Sequence, residues 1–315
     1  MKSEAASLEA EVRAGLGKPQ KELPSKLLWD DVGSALFEVI SHLPEYGLTR
    51  AGERLVRRHA DELAERLPPR IVVAELGSGS ARNTRWILEA ISRRQAVTYC
   101  PIDISPAALV LCRREVAHID AVTVVGFEGL YLQGLAEVAA RRAPGEGLLV
   151  LFLGGTIGNF DRPASIPFLS EVRGHLESGD RLLLAGDLMK PPGILIPAYD
   201  DPLGVTAAFD LNVLARLNRE MDADFDLAKF AHEARWDEAD RRIEMHLRAR
   251  EAHRACVRAL DLRVDFRAGE TIWTESSHRF TASEMIEMGR AAGLRCEAQW
   301  IDSEWPFAQT LFVAA

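Results

Sequence analysis

The sequence predicts an α/β fold: a Rossmann-like, open parallel sheet with a second, α+β part joined to it. Three observations predict it. The segment Ile71–Ser80, IVVAELGSGS, runs from β-branched residues through an acid into a glycine-rich turn, the order of a strand, a tight turn and a helix N-terminus. Apolar strands then alternate with helical patterns as far as Gly186, the pattern of a parallel sheet covered on both faces. After Asp187 the rhythm changes to half-apolar alternating strands, the pattern of antiparallel pairs with one face on a core.

Each element follows from its residues. Up to about Thr49 the chain reads as interrupted helix, with Leu36, Phe37, Ile40 and Leu43 on one face and Pro44 as the stop. Ala51–Leu67 is an amphipathic helix ended by Pro68 and Pro69. Ile71–Leu76, Val97–Ile102, Ala121–Val125, Leu148–Leu153 and Arg181–Gly186 read as strands. Between them Arg82–Ser92, Pro106–Val116 and Ser165–Glu177 read as helices, the last closed by Gly179. Ala207–Glu220 and Leu227–Ala234 read as two further helices. Ile243, Met245 and Leu247 alternate within Arg242–Arg248, as do Leu260, Leu262, Val264 and Phe266, so both stretches read as half-buried antiparallel strands. The tail reads as a helix, Ala282–Ala292, and two strands, Arg295–Ile301 and Phe307–Val313.

Composition excludes several function classes. The 315 residues, 47% of them hydrophobic, suffice for one large domain or two smaller ones. A formal charge of −9 argues against sequence-independent binding of nucleic acid. The arginine pairs at Arg57–Arg58, Arg93–Arg94 and Arg141–Arg142 are scattered and read as solvated helix faces. Cys100, Cys112, Cys256 and Cys296 form no CxxC pair and read as buried free thiols of a reducing cytosol. No secretory h-region and no apolar run of about 18 residues is visible, so no membrane partner is expected. Among the eight histidines, His246 and His253 lack the spacing and the paired acid of a metal site, so no metal is expected.

The glycine loop narrows the cofactor. Gly77 and Gly79 fit the start of a G-x-G-x-x-G fingerprint, but Arg82 stands at the third glycine position. Asp103, about 24 residues beyond Gly79, ends the second strand and can accept both hydroxyls of a ribose. S-adenosylmethionine has no pyrophosphate to seat and its sulfonium favours an acid such as Glu75. The loop therefore suits S-adenosylmethionine best, with a dinucleotide and a purely structural turn as the alternatives.

Six further segments come in a specific order: LPEYGLTR (Leu43–Arg50), FLGGTIGNF (Phe152–Phe160), AYDDPLGVTAAF (Ala198–Phe209), ADFDL (Ala223–Leu227), RIEMHLRAR (Arg242–Arg250) and TESSHRF (Thr274–Phe280). Together they resemble the L-histidine Nα-methyltransferases of ergothioneine biosynthesis, from about Arg13 to Phe312. The resemblance implies three methyl transfers from S-adenosylmethionine to the α-amine of histidine, giving hercynine. It also implies a class I methyltransferase domain over 50–190 and 279–315 and a substrate domain over 1–49 and 191–278.

The same segments can be read residue by residue. Asn159 follows an apolar strand and the glycines Gly154, Gly155 and Gly158; a neutral amide there can orient an amine, or simply close a loop. Tyr46 and Tyr199 offer hydroxyls for a carboxylate and faces that tolerate a methylated cation, or are half-buried tyrosines. Glu275 and Ser277, two residues apart in a β-like stretch, point the same way and suit the two nitrogens of imidazole, or form a surface pair. Met245 reads as core, and the resemblance makes it a wall of the imidazole pocket. By resemblance Tyr46 and Asn159 are catalytic and Tyr46, Asn159, Tyr199, Met245, Glu275 and Ser277 bind substrate. Glu75, Gly77, Ser78, Gly79, Asp103, Phe127 and Gly154 are assigned to the cofactor.

The chain departs from the family pattern in places. Gly47 and Leu48 stand where a second aromatic is usual, Asn83 where a lysine is common, and Trp29 where a tyrosine is usual. The Asp-aromatic pair that contacts adenine is reduced to Phe127 within Gly126–Glu128. Another aromatic amino acid such as tryptophan, or a homologue that binds without turnover, are the competing readings. The expected setting is a cytoplasmic monomer acting on a small molecule.

Overall fold

The structure is a computed structural model that describes residues 2–315, with side chains described from Leu8 onward. The chain divides into two compact units, one of Gly47–Met189 with His278–Ala315, the other of the residues up to Tyr46 with Lys190–Ser277.

The first unit is built on a sheet whose strands lie in the order Leu294–Asp302, Phe307–Ala314, Arg181–Asp187, Gly147–Phe152, Ile71–Leu76, Val97–Asp103 and Val122–Val124. The strands from Arg181–Asp187 to Val122–Val124 run parallel. Phe307–Ala314 is antiparallel to both of its neighbours, and the short Phe127–Glu128 extends the end of Val97–Asp103. All six residues of Ile71–Leu76 are buried, because alternate side chains enter different cores. Val72, Ala74 and Leu76 pack with Leu135, Val138, Leu169 and Met285. Ile71 and Val73 pack with Val56, Leu63, Ile87 and Val116. Helices therefore cover both faces, which is why the strand reads as continuously apolar. The helix Tyr131–Arg141, which supplies Leu135 and Val138, was not expected. The expected helix Ser165–Glu177 lies instead at Arg162–Gly174, where Pro163 occupies the first turn and its lacking N–H costs nothing.

The second unit holds a four-stranded sheet in the order Lys21–Glu22, Thr271–His278, Arg242–Ala249, Phe230–Asp237, and a separate antiparallel pair, His253–Val257 with Leu262–Phe266. Leu260 belongs to a 3-10 turn rather than to that last strand. The expected helix Leu227–Ala234 is wrong: only Leu227–Lys229 turns as a 3-10 helix, and Phe230–Asp237 is a strand. Its alanines favour helix, but eight antiparallel pairings with Arg242–Ala249 override that preference. The helix Asp31–Ile40, which follows an earlier helix at Lys2–Leu16, is capped by Asp30, whose carboxylate accepts the Gly33 amide, so Leu43 lies past its end. The next helix already begins at Gly47.

Two cysteines correct the reading of four buried thiols: Cys100 and Cys112 are buried, but Cys256 and Cys296 are half-buried. Among the described residues no helix is long and apolar enough to cross a membrane. Among them, too, no group of three or more His, Cys, Asp or Glu side chains could hold a metal ion.

Candidate active site

The glycine loop is a left-handed turn: φ is +71° at Gly77, +49° at Gly79 and +58° at Ala81. It is tied to the neighbouring strand, whose Ile102 carbonyl accepts the Gly77 amide at 2.8 Å. Asp103 Oδ2 accepts the Gly79 amide at 3.0 Å, and Oδ1 accepts the Ser105 amide at 2.9 Å. A Cβ at Gly79 would meet nothing within 4 Å, whereas one at Gly77 would sit 3.1 Å from the Tyr131 hydroxyl. The backbone thus presents an open face at Gly79, beside a carboxylate with lone pairs to spare. That combination fits the ribose end of a nucleoside. Burial pushes the Asp103 carboxyl above its usual range, against the amides of Ser105, Gly79 and Ile104.

Glu75, at the end of the strand entering the loop, is 3% exposed. Oε1 accepts the Thr84 hydroxyl at 2.6 Å, and Oε2 accepts the Tyr99 hydroxyl. Burial raises its carboxyl to about 7 despite those two donors. The folded chain therefore keeps a proton that the unfolded chain releases near 4.5. Stability should fall as pH rises from about 4.5 to about 7, by about 3 kcal/mol from this group alone. Urea unfolding of the parent and of Glu75→Gln at pH 4.5 and 7.5 checks this. The gap between the two proteins should shift by about that amount, and a gap that stays constant contradicts it.

Phe127 is 8% exposed and packs within the apolar cluster of Ile102, Leu135 and Val138. The Arg141 guanidinium lies over its ring, 4.9 Å from the centroid, so the ring is already engaged by the protein's own packing. Tyr131, absent from the sequence reading, brings its hydroxyl to the glycine loop. The sequence carried no signal for it, because the helix it begins was not expected. Ser78 is buried in the loop between the two glycines.

Gly154 and Gly155, at φ +75° and +79°, turn the chain from Gly147–Phe152 into the 3-10 turn Thr156–Asn159. His278 Nδ1 meets the Gly158 carbonyl at 3.0 Å, which anchors the turn ending in Asn159.

The other predicted substrate residues lie in the second unit. Tyr199 and Ser277, far apart in sequence, meet by a hydroxyl–hydroxyl hydrogen bond of 2.8 Å. The Tyr46 ring meets that of Tyr199 edge-on at 6.1 Å. Tyr46 also touches Phe37, which packs against Trp29 and Phe209, so Tyr46 joins an aromatic cluster to the ring of Tyr199. Trp29 thus fills a packing role rather than offering a hydroxyl. Glu275 and Ser277 are 8% and 5% exposed, so they are not a surface pair. Met245 is buried, and its carbonyl accepts the Thr274 hydroxyl at 3.0 Å. His246, next to it, stacks on Trp273 and bonds Glu244 at 2.9 Å, a structural histidine.

Fold and loop together define an enzyme of the α/β, nucleoside-cofactor class, with a buried acid-and-hydroxyl set in its second unit. A family model described as "Histidine-specific methyltransferase, SAM-dependent" matches residues 8–314. The histidine N-alpha-methyltransferase of Mycolicibacterium smegmatis is 41% identical over 99% of this chain and 96% of its own length. That of Mycobacterium tuberculosis is 41% identical over 97% of this chain and 94% of its own. The 4-dimethylallyltryptophan N-methyltransferase of Epichloe festucae var. lolii is 27% identical over 91% and 89%. The chain belongs to the histidine-specific, S-adenosylmethionine-dependent methyltransferase family. It is a methyltransferase, and S-adenosylmethionine is its cofactor.

Proposed function

We propose that this chain transfers three methyl groups in succession from S-adenosylmethionine to the α-amine of L-histidine, giving the betaine hercynine, the first step of ergothioneine biosynthesis. The observation that carries the reading is the match to a histidine-specific family over residues 8–314, joined by 41% identity to a histidine N-alpha-methyltransferase along nearly the whole chain.

The cofactor supplies an electrophilic methyl carbon activated by its sulfonium. The protein's task is to position and desolvate the amine. Gly77, Ser78, Gly79 and Gly154 would cradle the cofactor with backbone, and Asp103 would accept the ribose hydroxyls. Glu75, held by Thr84 and Tyr99 at the end of the strand entering the loop, would serve the cofactor from beneath that loop, and Phe127 would do so as part of the apolar packing near it. The amine must be neutral to attack; the Asn159 amide and the Tyr46 hydroxyl are each suited to orient an amine without adding charge, and burial favours its unprotonated form. Tyr199 holds the carboxylate. Glu275 and Ser277 take the two imidazole nitrogens, and Met245 packs on the ring. The aromatic rings of Tyr46 and Tyr199 tolerate the growing cation.

The chain's charge of −9 and its free thiols support a cytoplasmic enzyme that uses neither nucleic acid nor membrane, and we take it as a monomer. Mass spectrometry of products from a panel of amino acids tests the reading. Histidine alone should gain three methylene equivalents of mass, and its absence from the substrates would overturn it. A second reading, another aromatic amino acid such as tryptophan, is favoured by the aromatic cluster around Tyr46 and by the tryptophan-derivative relative. The same panel decides between them.

A further inference from the structure

We propose that His232 is a positioning residue for the substrate amino acid: a doubly protonated clamp that fixes Tyr199, resting on the role given to Tyr199 above. His232 lies on the strand Phe230–Asp237 and Asp210 on the helix Val205–Glu220, and their side chains are 1% and 0% exposed. Nδ1 of His232 lies 2.7 Å from Asp210 Oδ2, and Nε2 lies 2.7 Å from the Tyr199 carbonyl. A carbonyl can only accept, so Nε2 carries a proton; the Asp210 carboxylate accepts as well, so Nδ1 carries the other. The ring is then an imidazolium held between two acceptors. Burial opposes that charge, but the Asp210 bond and its charge, with the Tyr199 carbonyl, outweigh it and raise the His232 pKa above its ordinary value.

Tyr199 needs such a clamp. It follows the 3-10 turn Ile196–Ala198 with φ −120° and ψ 0°, outside any strand ladder. A charge-assisted bond is about twice as strong as a neutral one, and it pins the backbone of the residue whose hydroxyl meets Ser277. Since small misplacements of a positioning group are costly, the clamp should show in substrate use.

The test measures KM and kcat for L-histidine at saturating S-adenosylmethionine, with calorimetric binding of S-adenosylhomocysteine as the check on the fold. His232→Phe should raise KM by about tenfold or more, with a smaller change in kcat and S-adenosylhomocysteine affinity kept within about twofold. Asp210→Asn keeps the shape but lets the ring go neutral, and should raise KM by about threefold or more even if His232→Phe fails to fold. In a Tyr199→Phe background either change should add less than about twofold. Wild-type KM in Asp210→Asn, additive effects in the double variants, or S-adenosylhomocysteine binding lost in step with KM each overturns the clamp. A Tyr199→Phe enzyme with unaltered KM overturns the role of Tyr199 itself, and the clamp with it.

Discussion

Replacing Arg279 by methionine will lower the unfolding free energy by about 3–5 kcal/mol, the cost of removing one member of a buried ion pair. Arg279 is fully buried, and its Nε lies 2.7 Å from Asp187 Oδ2. Asp187 is 3% exposed and its Oδ1 accepts the Trp305 indole N–H at 2.9 Å. The backbone here is equally committed. Phe280 donates to the Asp187 carbonyl at 3.2 Å, Met189 donates to that of Phe280 at 2.9 Å, and Arg162 reaches the Arg279 carbonyl at 2.6 Å. Methionine matches the length of the stem but takes the guanidinium away from the Asp187 carboxylate, which stays in a low-dielectric site. Equilibrium urea unfolding of the parent, Arg279→Met and Arg279→Met/Asp187→Asn reads the effect. The double variant should recover more than half of the loss, because it removes the stranded charge. A single variant within about 1 kcal/mol of the parent would show that the pair contributes little.

Glu275→Ala will reduce kcat/KM for L-histidine by about tenfold to a hundredfold, equivalent to about 1.5–3 kcal/mol for a hydrogen bond involving a charged group. Glu275 is 8% exposed on the strand Thr271–His278, with Ser277 on the same side of the strand two residues on. A buried carboxylate recognises an N–H and is left unpaired by a carbon edge, so the acid discriminates among aromatic amino acids as well as binding one. The loss should therefore be larger for histidine than for tryptophan or phenylalanine, and the ratio between substrates is the cleaner readout. Unchanged histidine kinetics in Glu275→Ala would remove Glu275 from the substrate site.

The strands of the parallel sheet were legible to within a residue or two, because residues such as Val72 and Val73 are apolar on both faces and no helix of that length would be. The stretch from Phe230 was misread because its pairing partner, Arg242–Ala249, decides its conformation and propensity does not. At the glycine loop the sequence showed why Gly77 and Gly79 stand there, through positive φ. It could not show that Thr84 and Tyr99 occupy the oxygens of Glu75, since those contacts arise only when strand and helix pack. Tyr199 and Ser277 were each named, but their hydrogen bond joins segments that only the fold brings together. His232 and Asp210 carried no motif at all, and their meaning lies wholly in two distances.

The strand Phe307–Ala314, buried at all eight positions, is paired on both sides, with Arg181–Asp187 and with Leu294–Asp302. Its partner Arg181–Asp187 is synthesised before Lys190–Ser277, and its pairing partner Phe307–Ala314 only after it, so that edge waits unpaired in between. The nascent chain therefore carries an open β-edge while Lys190–Ser277 is being translated. Closure of the sheet is a late, long-range event of the kind that folds slowly and calls on chaperones.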